Sequence, residues 1–104
     1  ERAGDIRLIG FQEDFDDHLR LWTADPSRTP PGVILSMEGA DPILFPADIN
    51  GWYDAGLRAI GLTHYGLNRY GGGTAVTDGL APGASELLKR IEKLGIALDL
   101  THLS

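Results

Sequence analysis

The chain has 104 residues, 42% apolar and 23% charged, which is ordinary for one globular domain but short of the roughly 200 to 400 residues of a closed eight-stranded α/β barrel. Nine Lys or Arg against fifteen Asp or Glu give a formal charge of -6 and no basic stripe, which argues against nucleic acid, and no apolar run approaches the ~20 residues that cross a bilayer. Cysteine is absent, so a metal would have to be held by His, Asp, Glu or backbone oxygen, and the composition agrees with a reducing, cytoplasmic setting.

Glu1 stands where Met would open a gene product, with no signal-like segment after it, as expected of a trimmed chain. Asp5 to Ile9 reads as a short strand interrupted by Gly10. From Asp14 to Trp22, Phe15, Leu19 and Trp22 recur at i, i+4 and i+7, the spacing of one helical face. His18 lies off that face and is expected in solvent. Pro26, Pro30 and Pro31 end the helix, because proline lacks an amide donor and restrains the residue before it, so 26–32 is a connection.

Val33 to Met37 is a nearly continuous apolar run, as expected of a strand covered on both faces, and Glu38 and Gly39 follow it. Ala47 to Leu57 predicts a helix with Ile49, Trp52, Tyr53 and Leu57 on one face. Arg58 to Thr63 predicts a second strand running into His64. Residues 65–83 hold six glycines in a connection longer than compact α/β units use, hence a functional loop or a disordered one. In the next helix Leu87, Leu88, Ile91 and Leu94 keep helical spacing, Glu86 faces Arg90, and Gly95 supplies a left-handed stop. Ile96 to Leu100 forms a third strand, ending at Thr101 and His102. Strands separated by crossovers favour parallel neighbours, hence an α/β sheet of about three parallel strands with flanking helices.

Glu38, His64 and His102 each follow an apolar run. On parallel neighbouring strands they would share the carboxyl-terminal rim, where α/β folds place their ligands. A carboxylate and two imidazoles offer zinc the oxygen and nitrogen donors it accepts, and a bound ion can activate water; the alternative is three ordinary loop starts. Asp99, inside the third strand, is either a buried partner of that site or a structurally paired carboxylate, and in either case needs a donor. Asn68, Arg69 and Tyr70 precede Gly71, Gly72 and Gly73, but the spacing is neither a dinucleotide fingerprint nor a phosphate loop. The glycines suit a turn or a close backbone approach, and Arg69 is either a substrate-carboxylate contact or a solvated side chain. Ser27, Ser36, Ser85 and Ser104 show no nucleophile-elbow pattern.

At these same residues the sequence resembles the renal, or membrane, dipeptidase family of metal-dependent hydrolases. The matching pieces are I-L-S-M-E-G-A at 34–40, G-L-R-A-I-G-L-T-H-Y-G-L-N at 56–68 and L-G-I-A-L-D-L-T-H-L-S at 94–104. The match covers roughly 33–104, and 1–32 shares only a helix-bearing segment before the Glu strand. The resemblance implies part of a (β/α)8 TIM barrel. It implies a site with two zinc ions in which Glu38 and His102 are ligands and His64 contacts the substrate or its developing oxyanion; Asp99, Asn68 and Arg69 stand beside it as supporting candidates from their positions in the strand and loop. This revises the three-ligand reading. The implied reaction is hydrolysis of a dipeptide by metal-activated water; small N-acyl amino acids are an alternative substrate class, and a catalytically inactive structural module an alternative role.

The family's His-x-Asp pair and its later metal-binding His and Asp have no counterpart here. The 104 residues are therefore expected to be an internal fragment, inactive alone, whose partners are the remainder of the barrel and a second copy of the chain.

Overall fold

The structure, a computed structural model, describes residues 4–104, and the chain divides into two compact units, Glu1–Leu35 and Ser36–Ser104. In the first, β1 (Arg7–Leu8) and β2 (Gly32–Val33) pair in parallel, Arg7 opposite Gly32 and Leu8 opposite Val33, around the helix α1 (Gln12–Ala24). Asp14 starts the helix: its carboxylate accepts the Gly10 and Phe11 amides at 3.1 and 3.0 Å, satisfying donors that a helix start leaves free. Asp17 pairs with Arg20 at 2.5 Å and Arg7 at 2.8 Å, and these guanidinium groups, Arg20 foremost, hold its carboxyl below the usual carboxylate range.

The packing of α1 departs from expectation in which residue it buries. His18 is 8% exposed and is the buried residue of the helix, whereas Phe15, Leu19 and Trp22 are 39%, 47% and 42% exposed. Gly32 is the reason: a Cβ there would lie 2.7 Å from His18 Nε2 and 2.7 Å from Ile9 Cδ1, so the missing side chain is the space the imidazole occupies. His18 Nδ1 finds no hydrogen-bond partner among the described residues.

The apolar run 33–37 is not one strand covered on both faces. Val33 ends β2, Ile34 is unpaired and exposed, and β3 (Leu35–Glu38) belongs to a different sheet. In the second unit that sheet has the order β3-β4-β7, with β4 (Leu57–Gly61) and β7 (Ala97–Asp99) parallel, Ala59 opposite Ala97, Ile60 opposite Leu98 and Gly61 opposite Asp99. Beyond β3 the Gly39 amide donates to Gly61 O at 3.1 Å and the Ala40 amide to Leu62 O at 3.0 Å. Partner numbers rise together, the sense of a parallel run.

A 3-10 turn (Pro46–Asp48) leads into α2 (Ile49–Asp54), which stops short of the expected Leu57. Gly56, at φ +115°, turns the chain, and Leu57 becomes the buried first residue of β4. Arg58 caps the helix end, donating to Tyr53 O at 2.7 Å with its guanidinium 3.8 Å from the Tyr53 ring centre. The helix α3 (Ala84–Leu94) follows its sequence spacing: Ala84, Leu87 and Ile91 are buried, Glu86 meets Arg90 at 3.1 Å, and Gly95 takes φ +73°.

The core joins Ile43, Ile49, Ile60, Leu62, Leu87 and Ile91 with the ring of Tyr70. Leu87 is fully buried among them, so Leu87→Ala should cost ~2–5 kcal/mol through lost burial and a residual cavity, read as a lower midpoint in chemical denaturation. The glycine-rich connection is ordered around Tyr70. Its β5 (Leu67–Asn68) and β6 (Gly71–Gly72) form an antiparallel hairpin. Tyr70 between them enters the core, its hydroxyl donates to Ile43 O, and burial pushes the phenol pKa up.

Candidate metal centre

Register brings the site together. Gly61 and Asp99 are opposite each other on β4 and β7, and His64 and His102 each lie three residues beyond that matched pair, so both reach the same rim. Glu38 ends the neighbouring β3. His102 Nε2 is 3.0 Å from Glu38 Oε1, and His64 Nε2 is 3.4 Å from the same oxygen. One donor atom from each residue falls within 4.8 Å of the others. The imidazoles meet edge to face with ring centres 4.6 Å apart, and Tyr65 packs 4.3 Å from His64 and 5.3 Å from His102.

The three side chains differ in access. Glu38 is 64% exposed, His64 46% and His102 20%, so His102 is the most tightly held and the other two face solvent. Besides the contact with Glu38, two bonds hold His102: the buried Thr63 donates its hydroxyl to His102 O at 3.1 Å, and Thr74 Oγ1 lies 3.0 Å from His102 Nδ1. One carboxylate and two imidazole nitrogens in convergence suit a borderline-soft divalent ion, so the donor set fits a metal.

The supporting candidates take other places. Asp99 is exposed rather than buried, and accepts the Thr101 amide at 2.9 Å and the Thr101 hydroxyl at 2.5 Å, closing a turn. Those bonds, more than the neighbouring His102, hold its carboxyl below the usual range. Asn68 is a clamp, donating to Leu62 O at 2.8 Å and accepting the Tyr70 and Gly71 amides at 2.9 and 3.2 Å. Arg69 turns to Asp41, with Nε 2.9 Å from its carbonyl oxygen and 3.4 Å from its carboxylate.

Thr74 and Tyr65 carry no chemistry that sequence alone would single out. The available signal was the triple glycine before Thr74. A Cβ at Gly73 would lie 2.1 Å from His64 O, so glycine lets the loop press on the backbone of the His64 strand end. Close approach then permits the Thr74 amide to donate to His64 O at 3.0 Å and the Ala75 amide to Tyr65 O at 2.8 Å, which brings the Thr74 hydroxyl to His102.

Solved structures share this fold. A metallo peptidase from Rhodobacter sphaeroides, liganded with a phosphinate mimic of the dipeptide L-Ala-D-Ala, superposes with a TM-score of 0.72 at 22% identity, covering 98% of this chain and 30% of its own. An amidohydrolase from Pseudomonas aeruginosa gives a TM-score of 0.66 at 15% identity, covering 95% of this chain and 37% of its own. The chain thus spans about a third of the length of these structures. No curated protein matches it. The sequence pattern of the membrane dipeptidase family, peptidase family M19, matches residues 10–104. The chain belongs to that family. The match reaches back through α1, where the sequence offered no chemical motif.

Proposed function

We propose that this chain is part of a zinc-dependent dipeptidase built on a (β/α)8 barrel, with Glu38 and His102 holding metal and His64 meeting the substrate. The observation that carries this reading is the convergence of Glu38, His64 and His102 on one oxygen at the rim of the β3-β4-β7 sheet. When bound, the metal pair of such a site polarises the scissile carbonyl and supplies water activated for attack. Glu38 contributes the negative charge that draws the cations in. His102, held on its far side by Thr74, contributes an oriented Nε2 lone pair.

His64 has the second imidazole, the longer distance to Glu38 and the greater exposure of the two, so its Nε2 can turn toward a bound peptide group. An N–H aimed at the carbonyl oxygen stabilises the charge that develops there during attack. Two ligands fall short of the coordination a zinc ion needs, so the rest of the barrel supplies the others. The exposed Leu35, Leu98 and Leu100 on and after β3 and β7 suit burial against that remainder.

His64→Ala in the full-length protein tests the assignment. Dipeptide turnover should fall by roughly 10²–10³-fold, the usual effect of removing one oxyanion donor, with metal content unchanged. Metal analysis beside hydrolysis kinetics checks it, and metal lost in proportion to turnover would make His64 a ligand instead. Running an N-acetyl amino acid beside the dipeptide separates the two substrate classes.

A further inference from the structure

His102 has different neighbours at its two ring nitrogens: Glu38 Oε1 at 3.0 Å from Nε2 and Thr74 Oγ1 at 3.0 Å from Nδ1. A neutral imidazole carries one N–H, and an ionised carboxylate can only accept. With its proton on Nε2 a neutral ring would face Glu38 through that N–H, and Nδ1 would accept from the Thr74 hydroxyl. When Nε2 gives its lone pair to a cation the proton must sit on Nδ1, and Thr74 Oγ1 must then accept it. A hydroxyl serves both states by rotating, whereas a carboxylate or a backbone carbonyl at that position would fix the proton on Nδ1.

Resting on the metal reading above, we infer that Thr74 is a positioning residue that fixes the His102 ring so that Nε2 points into the cluster with Glu38. Thr74 is suited to this because its backbone is anchored independently of His102. Its amide donates to His64 O at 3.0 Å, and the Gly73 amide before it donates to Gly66 O at 3.0 Å. The hydroxyl thus approaches from a fixed point, and His64 and His102 are tied through one loop. Thr74 is exposed, so substitution there leaves the core untouched.

The experiment compares Thr74→Val, which keeps the shape and removes the hydroxyl, with Thr74→Ser, which restores it. Long-range proton–nitrogen spectra of the metal-free full-length protein should show a single ordered His102 ring, and zinc should shift its ring nitrogen signals. In Thr74→Val the metal-free ring signals should shift or broaden, and zinc affinity by calorimetry should weaken roughly 10–100-fold, the usual effect of losing a ligand's outer partner. Thr74→Ser should recover both. Wild-type ring signals and wild-type zinc affinity in Thr74→Val would overturn the inference. Zinc failing to bind the wild type would instead overturn the metal reading, while the metal-free spectra would still decide whether Thr74 orients the ring.

Discussion

On the proposed zinc dipeptidase reading, Glu38→Gln should abolish stoichiometric zinc binding by the full-length protein and lower dipeptide turnover on the order of 10³-fold or more, since the metal would supply both the activated water and the polarised carbonyl. The substitution keeps the size of the side chain and removes its charge. Both imidazoles converge on Oε1 of this residue, so loss of its charge affects its contacts with His64 and His102 at once. Its effect on folding should be small. The Glu38 side chain is largely exposed, and such substitutions usually change stability within about 0.5 kcal/mol. Metal analysis, hydrolysis kinetics and denaturation on the same preparation separate the two effects. A variant that keeps its zinc and its turnover would remove Glu38 from the metal site. Glu38→Asp, which retains charge but shortens the reach by one methylene, would then show whether charge or distance matters at this position.

The three converging residues were legible in the sequence because one physical rule places them. Each follows an apolar run, and parallel pairing turns equal spacing beyond a strand into a shared rim. His18 was not legible in that way. Helical spacing sets Phe15, His18, Leu19 and Trp22 along one side of the helix, but which of them is buried is decided by the gap at Gly32 on another element. The run 33–37 misled for a related reason. Apolarity and length cannot distinguish one strand from two short strands that join different sheets, a distinction made by pairing partners far along the chain. Residues 65–83 were ambiguous because glycine content alone fits both a disordered loop and one pressed against backbone. Tyr70 in the core and the Asn68 clamp decide for the ordered state.

That loop gives the sharpest test of why its glycines are glycines. Gly73→Ala should destabilise the protein by roughly 3 kcal/mol or more, from overpacking of about 1–3 kcal/mol and the loss of backbone hydrogen bonds worth about 0.5–1.5 kcal/mol each. The atoms a new Cβ would meet are His64 O at 2.1 Å, His64 C at 2.6 Å and Tyr65 C at 2.8 Å. All are backbone, so no side chain can rotate away, and the loop must lift off the strand end. Lifting breaks the bonds from the Gly73, Thr74 and Ala75 amides to Gly66, His64 and Tyr65. It also carries the Thr74 hydroxyl away from His102, so zinc affinity should fall along with stability. Gly66 and Gly79 are the internal controls, because a Cβ at either meets nothing within 4 Å and neither has a positive φ. Their alanine variants should stay within about 0.5 kcal/mol of the wild type, as open surface positions do. Chemical denaturation of the three variants side by side distinguishes close packing from chain flexibility. Equal effects at positions 66, 73 and 79 would mean that the loop needs glycine for flexibility, and the account of how Thr74 reaches His102 would fail with it.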